Sequence, residues 1–133
     1  MTTHATGTFD VKTIPQPGDA PADGGFGRLY LDKVFHGPLS GTSKGTMLGF
    51  RAPDNSGAGY VALELVTGEL DGRQGSFALQ HSGTMRGSDL SLSVTVVPGS
   101  GTGELAGIEG TFAIIIEGKK HSYDFAYTLG AVI

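Results

Sequence analysis

The chain has 133 residues, no cysteine, and a formal net charge of −4 from 13 acidic and nine basic side chains. That length suits one domain, residues 1–133, with a core of its own, and the missing thiols remove disulfides, thiolate metal ligands and a cysteine nucleophile together. The basic residues never cluster beyond Lys119 and Lys120, so nucleic acid is not expected as a partner.

The N-terminus lacks the charged and then apolar pattern of a signal peptide. No run reaches the roughly 18 apolar residues of a membrane helix. Together with the absent cysteines, this points to a cytoplasmic protein with no membrane partner. Glycine supplies 23 residues without a repeat period, and apolar residues reach 38%, a mixture that describes a turn-rich β protein.

In chain order, strands are expected at His4 to Ile14, Phe26 to Phe35 and Thr42 to Phe50, with a loop over Pro15 to Gly25. The next two segments flank Leu70-Asp71-Gly72-Arg73, where the Asp-Gly pair favours a two-residue type I′ turn. If Leu70 faces Arg73, then Val66 faces Phe77, Glu64 faces Leu79, Ala62 faces His81 and Tyr60 faces Gly83, all on one side of the sheet. A hairpin across Arg86 and Gly87 leads into Asp89 to Val97, where Leu90, Leu92, Val94 and Val96 alternate with Ser91, Ser93 and Thr95. Period two with one apolar face means a half-buried strand. The same counting across Gly118 and Lys119 sets Phe112, Ile114 and Ile116 beside Phe125, Tyr123 and His121.

No window supports a helix, because glycine or period-two alternation interrupts each one. The expected fold is therefore all-β: an eight-stranded antiparallel meander closed into a barrel, which removes exposed edges. An open two-sheet sandwich is the competing arrangement.

The segment Pro98-Gly-Ser-Gly-Thr-Gly-Glu-Leu-Ala-Gly-Ile-Glu-Gly-Thr111 resembles the Gly-Thr-Gly, then Gly-x-x-Gly segment of allene oxide cyclases and dirigent proteins. With Glu64, the Thr67-Gly-Glu-Leu-Asp-Gly-Arg-Gln-Gly-Ser-Phe77 run and Leu79-Gln-His81, the chain is more similar still to an uncharacterised bacterial family of unknown function with an allene-oxide-cyclase-like barrel. The resemblance implies a calycin-like, often oligomeric barrel that binds hydrophobic or polyketide-like molecules without a cofactor. It carries over no catalytic residue of the plant enzymes.

From the register itself, Glu64 is a carboxylate among Tyr60, Val66, Phe77 and Leu79. Burial should raise its pKa unless a donor accompanies it, and a raised pKa suits acid or base work. A one-step error in strand face would instead leave Glu64 in solvent, with Val61, Leu63 and Leu65 inside. His81 lies diagonal to Glu64, within cross-strand reach, so the two are the candidate catalytic pair, with a purely structural hydrogen bond as the alternative. Tyr60, Phe77, Leu79, His121, Tyr123, Phe125 and Tyr127 are the candidate ligand-binding residues, equally able to fill a barrel simply by packing. His121 with His81 and Glu64 would make a two-His, one-carboxylate set, but the spacing matches no metal motif, and no metal site is assigned. His4 and His36 are expected near strand ends and exposed. Lys33 reads as a solvated strand position in preference to an inward amine.

The Gly-Ser-Gly-Thr-Gly segment is not a phosphate loop, since no Gly-Lys-Ser/Thr follows and the next segment reads as a strand. No Gly-x-Ser-x-Gly elbow supports a serine nucleophile. The expected function is binding of a small apolar or aromatic molecule in the lumen, with cofactor-free isomerase or cyclase chemistry. A non-catalytic carrier or sensor, and a solidly packed structural barrel, are the alternatives. An outward row of Val61, Leu63 and Leu65 further predicts a homo-oligomer.

Overall fold

A computed structural model describes residues 2–15 and 26–129. Eight strands follow in order: β1 (Thr3–Pro15), β2 (Phe26–His36), β3 (Leu39–Arg51), β4 (Gly57–Leu70), β5 (Arg73–Arg86), β6 (Asp89–Val96), β7 (Ile108–Glu117) and β8 (Lys120–Leu129). Each pairs antiparallel with the next, and β1 pairs with β8 from Thr3↔Tyr127 to Phe9↔His121, so the sheet closes into a barrel. That last ladder excludes the sandwich. Of the expected Pro15 to Gly25 loop, Pro15 ends β1, and 16–25 lies outside the described residues. One helical feature was not foreseen, a single 3₁₀ turn at Gly103–Leu105 that buries Leu105.

Local chemistry sets the register. Asp71 and Gly72 both have positive φ, 49° and 85°, as a type I′ turn requires. The β4–β5 ladder accordingly pairs Leu70↔Arg73, Val66↔Phe77, Glu64↔Leu79, Ala62↔His81 and Tyr60↔Gly83. The β7–β8 ladder pairs Phe112↔Phe125, Ile114↔Tyr123 and Ile116↔His121.

One end of the barrel is packed solid. Leu39, Leu70, Phe77, Leu105, Ile108, Phe112, Phe125 and Tyr127 are buried there in one cluster. Phe77 stacks on Phe125 at 5.4 Å, and Phe112 stacks on Tyr123 at 5.3 Å. Tyr123 has a polar end to satisfy. Its hydroxyl accepts the Leu39 N–H at 3.1 Å and donates to the His36 carbonyl at 2.9 Å, tying β8 to the β2–β3 turn. At this end too, the Tyr127 hydroxyl donates to the Asp71 carboxylate.

The opposite end, where β2 begins and β3 ends, is open. Its wall has a weak seam, because β6 and β7 are paired only at Thr95↔Thr111.

Candidate functional site

Three ionisable side chains meet between the packed end and the open end. Alternation turns Lys33 inward with Leu31 and Phe35 on β2, Glu64 inward with Ala62 and Val66 on β4, and His81 inward with Phe77 and Leu79 on β5. All three are buried, Lys33 to 4%, Glu64 to 2% and His81 to 3% of full exposure. Lys33 Nζ donates to Glu64 Oε2 at 2.7 Å, and His81 Nε2 lies 3.0 Å from the same oxygen. The ammonium also stands over the Phe9 ring, 5.2 Å from its centroid, a cation–π contact strengthened by the dry surroundings.

The diagonal approach of Glu64 and His81 follows from the register. Lys33 is the residue that sequence reasoning misplaced, since it is an inward amine and not a solvated one. Its parity with Leu31 and Phe35 was the available signal. A buried ammonium needs a counter-charge, and that charge sits two strands away on β4.

The cluster supplies the donors on which the direction of the Glu64 pKa depends. Desolvation pushes the carboxyl upward, but the His81 hydrogen bond and the Lys33 and His81 charges outweigh it and hold it below the ordinary value. Glu64 is therefore a carboxylate. Because a carboxylate only accepts, Nε2 of His81 is the donor in this hydrogen bond; a neutral ring in that orientation would hold its lone pair on Nδ1. This is the relation of an orienting carboxylate to a histidine base.

Above the cluster, at the open end, lies an apolar cavity of about 390 Å³. Its lining includes Leu29, Met47, Phe50, Tyr60, Met85 and Leu90. Glycines help to open it. A Cβ on Gly27 would meet nothing within 4 Å, and one on Gly49 would come no nearer than 3.6 Å to any atom. Tyr60 forms part of the wall toward the cluster. Its ring lies over Gly83, where a Cβ would come within 2.5 Å of it, and its centroid is 6.4 Å from that of His81. Burial and the Glu64 charge push its phenol pKa up.

Of the expected ligand-binding residues, only Tyr60 lines this cavity. Phe77, Leu79, Tyr123, Phe125 and Tyr127 belong to the packed core, where their surfaces are taken up by one another. His121 is half-buried against Phe9, with ring centroids 5.3 Å apart. It does not join His81 and Glu64, and among the described residues no three His, Asp or Glu side chains are placed to hold a metal ion. His4 and His36 are exposed and pair with Asp124 and Asp10. No helix among the described residues is long and apolar enough to cross a membrane.

These features define a class: small meander barrels with one end packed, an apolar mouth at the other, and an ionic cluster sealed between them. Within that class the chain belongs to the family described as protein of unknown function DUF3224, whose profile matches residues 5–127. It is similar to a protein with unknown function from the DUF3224 family from Shewanella oneidensis MR-1, whose crystal structure was determined at 1.84 Å resolution. The two are 46% identical over 99% of this chain and 100% of that one, with a TM-score of 0.93. No curated protein matches the chain.

Proposed function

We propose that this barrel binds a small apolar or aromatic molecule in its mouth cavity and catalyses cofactor-independent proton transfer on it, as an isomerase or cyclase. The observation that carries this reading is the position of a buried Lys33, Glu64 and His81 cluster beneath an apolar cavity, with Tyr60 between them. In this reading His81 is the base, Glu64 fixes its tautomer, and Lys33 keeps Glu64 ionised. The resemblance to allene oxide cyclases and dirigent proteins supports the same ligand class. A chain without cysteine suits a reducing cytoplasm, where we place it.

A carrier or sensor of the same ligand is the second reading. It is favoured by one observation, that none of Lys33, Glu64 and His81 lines the cavity. We also propose a homo-oligomer built on the outer face of β4, where Val61, Leu63 and Leu65 are exposed to 55%, 57% and 52%.

Binding is tested with the neutral fluorophore N-phenyl-1-naphthylamine. The wild type should bind it saturably, and Gly49→Leu, whose Cβ would meet no atom nearer than 3.6 Å and whose side chain would take up cavity space, should weaken that binding by about tenfold or more. No saturable binding would leave a purely structural barrel. Catalysis is tested by exchange of the α-hydrogens of 2-tetralone in D₂O. Acceleration by the wild type, lost in His81→Gln, supports the enzyme, and binding without acceleration supports the carrier.

A further inference from the structure

Two polar atoms in the barrel's interior have no hydrogen-bond partner among the described residues that would satisfy them. One is Glu64 Oε1, whose twin Oε2 takes both Lys33 and His81, and the other is Ser43 Oγ. Both belong to fully buried side chains. An ionised oxygen left this way is costly, and native interiors rarely keep one without a donor.

The surroundings of Glu64 narrow what that donor is. Ser43 and Gly45 are successive inward positions on β3, and Gly45 stands opposite Glu64 with no side chain to cover it. On the open side, the inward neighbour of Glu64 is Ala62, which contributes a single methyl, and beyond it comes Tyr60 at the cavity wall. The route from cavity to carboxylate is therefore apolar, passing the Tyr60 ring, Ala62 and, opposite Ala62, Met47. Lys33 and His81 already direct their donors at Oε2, and Arg51 in the cavity lining is exposed at the rim, so an anion at the depth of the cluster would meet the Glu64 charge without a cation of its own to offset it.

Resting on the proposed function, we infer that Glu64 Oε1 is the polar anchor of the ligand site, and that the ligand is an uncharged apolar molecule carrying a hydroxyl or N–H donor. The donor reaches Oε1 when the Tyr60 ring swings off Gly83, and the apolar body stays in the mouth cavity. Ser43 Oγ is the second polar atom available at that depth. The inference separates two uncharged molecules of nearly equal size that differ only in whether they can donate.

The test compares 2-naphthol with 2-methoxynaphthalene, each followed by its own fluorescence, since the protein has no tryptophan. The wild type should bind 2-naphthol about tenfold or more tightly, the ratio expected of a hydrogen bond to a buried charge. In Glu64→Gln the amide oxygen takes over from Oε2 and the amide NH₂ faces the ligand, so the preference should collapse or reverse. Equal affinity of the two compounds for the wild type would overturn the inference and leave the cavity reading standing. Binding of neither would remove that reading, and this one with it. Should Glu64→Gln fail to fold, the wild-type comparison alone decides.

Discussion

Lys33 on β2 and Glu64 on β4 form a 2.7 Å ion pair although a whole strand, β3, runs between them. β3 permits this because its inward side chains at that depth are small: Ser43 stands opposite Lys33, and Gly45 stands opposite Glu64. The two long side chains meet over a strand that offers only a hydroxymethyl and a hydrogen. Removing Lys33 leaves the buried Glu64 charge with His81 as its remaining partner, a change that costs up to about 3–5 kcal/mol. Lys33→Met should therefore lower stability in urea by that amount. The double variant Lys33→Met with Glu64→Gln should recover part of it, because the orphaned charge is gone. A loss below about 1 kcal/mol for Lys33→Met would show that His81 or solvent compensates the carboxylate without the lysine.

Much of this arrangement can be read in the sequence, and the reason differs from residue to residue. Period-two alternation and the Asp71-Gly72 turn place Glu64 and His81 on one face, because register between neighbouring strands follows from a two-residue turn. The Lys33 contact depends on two consecutive ladders, β2–β3 and β3–β4, and the longer connection Ala52–Ser56 carries no comparable register signal. Alternation also does not reveal which end of a barrel is filled. Phe77, Phe125 and Tyr127 have the same inward parity as Tyr60, yet only Tyr60 reaches the cavity, because Gly27 and Gly49 withhold side chains at that end.

Acid should destabilise the fold through Glu64. Its pKa in the fold lies below the ordinary 4.5, held there by His81 and Lys33 against desolvation. A group whose folded pKa is depressed stabilises above its unfolded value and loses that contribution as pH falls through the folded one. Urea midpoints should thus hold above pH 4.5 and fall below it, more steeply in the wild type than in Glu64→Gln. Parallel profiles would remove Glu64 as the source. Base acts elsewhere. Desolvation and the Asp71 carboxylate push the Tyr127 phenol from 10.0 up to about 12, so its contribution is complete below pH 10 and is lost between pH 10 and 12. Tyr127→Phe should flatten that alkaline fall.

If the Tyr60 ring closes the route to the cluster, its removal should expose His81 to reagents. Diethyl pyrocarbonate acylates accessible imidazole nitrogens, and peptide mass spectrometry resolves the four histidines one by one. In the wild type, exposed His4 and His36 should react first and His81 last. Tyr60→Ala should speed acylation of His81 by about tenfold or more while leaving His4 unchanged, since local access sets the rate. Tyr60→Phe keeps the ring and should behave as the wild type. Equal His81 rates in all three proteins would mean that the reagent enters elsewhere, the sparsely paired β6–β7 seam being the first place to look.

The β4 stripe makes a prediction about assembly. Leu48 lies opposite Val61 on the neighbouring strand and is also exposed, and Tyr30 lies two strands from Leu63 at the same level. The apolar row is thus part of a wider face. An isologous dimer would lay this stripe against its own copy, removing apolar area from water at about 25 cal/mol per Å². Light scattering at micromolar concentration should give a multiple of the 13.7 kDa chain mass. Leu63→Lys should give the monomer, because two such charges would face each other across the symmetry axis. Leu63 is exposed in the isolated barrel, so the same change should alter the stability of the monomer by no more than about 0.5 kcal/mol. A wild type that runs as a monomer would assign the stripe no role in self-association.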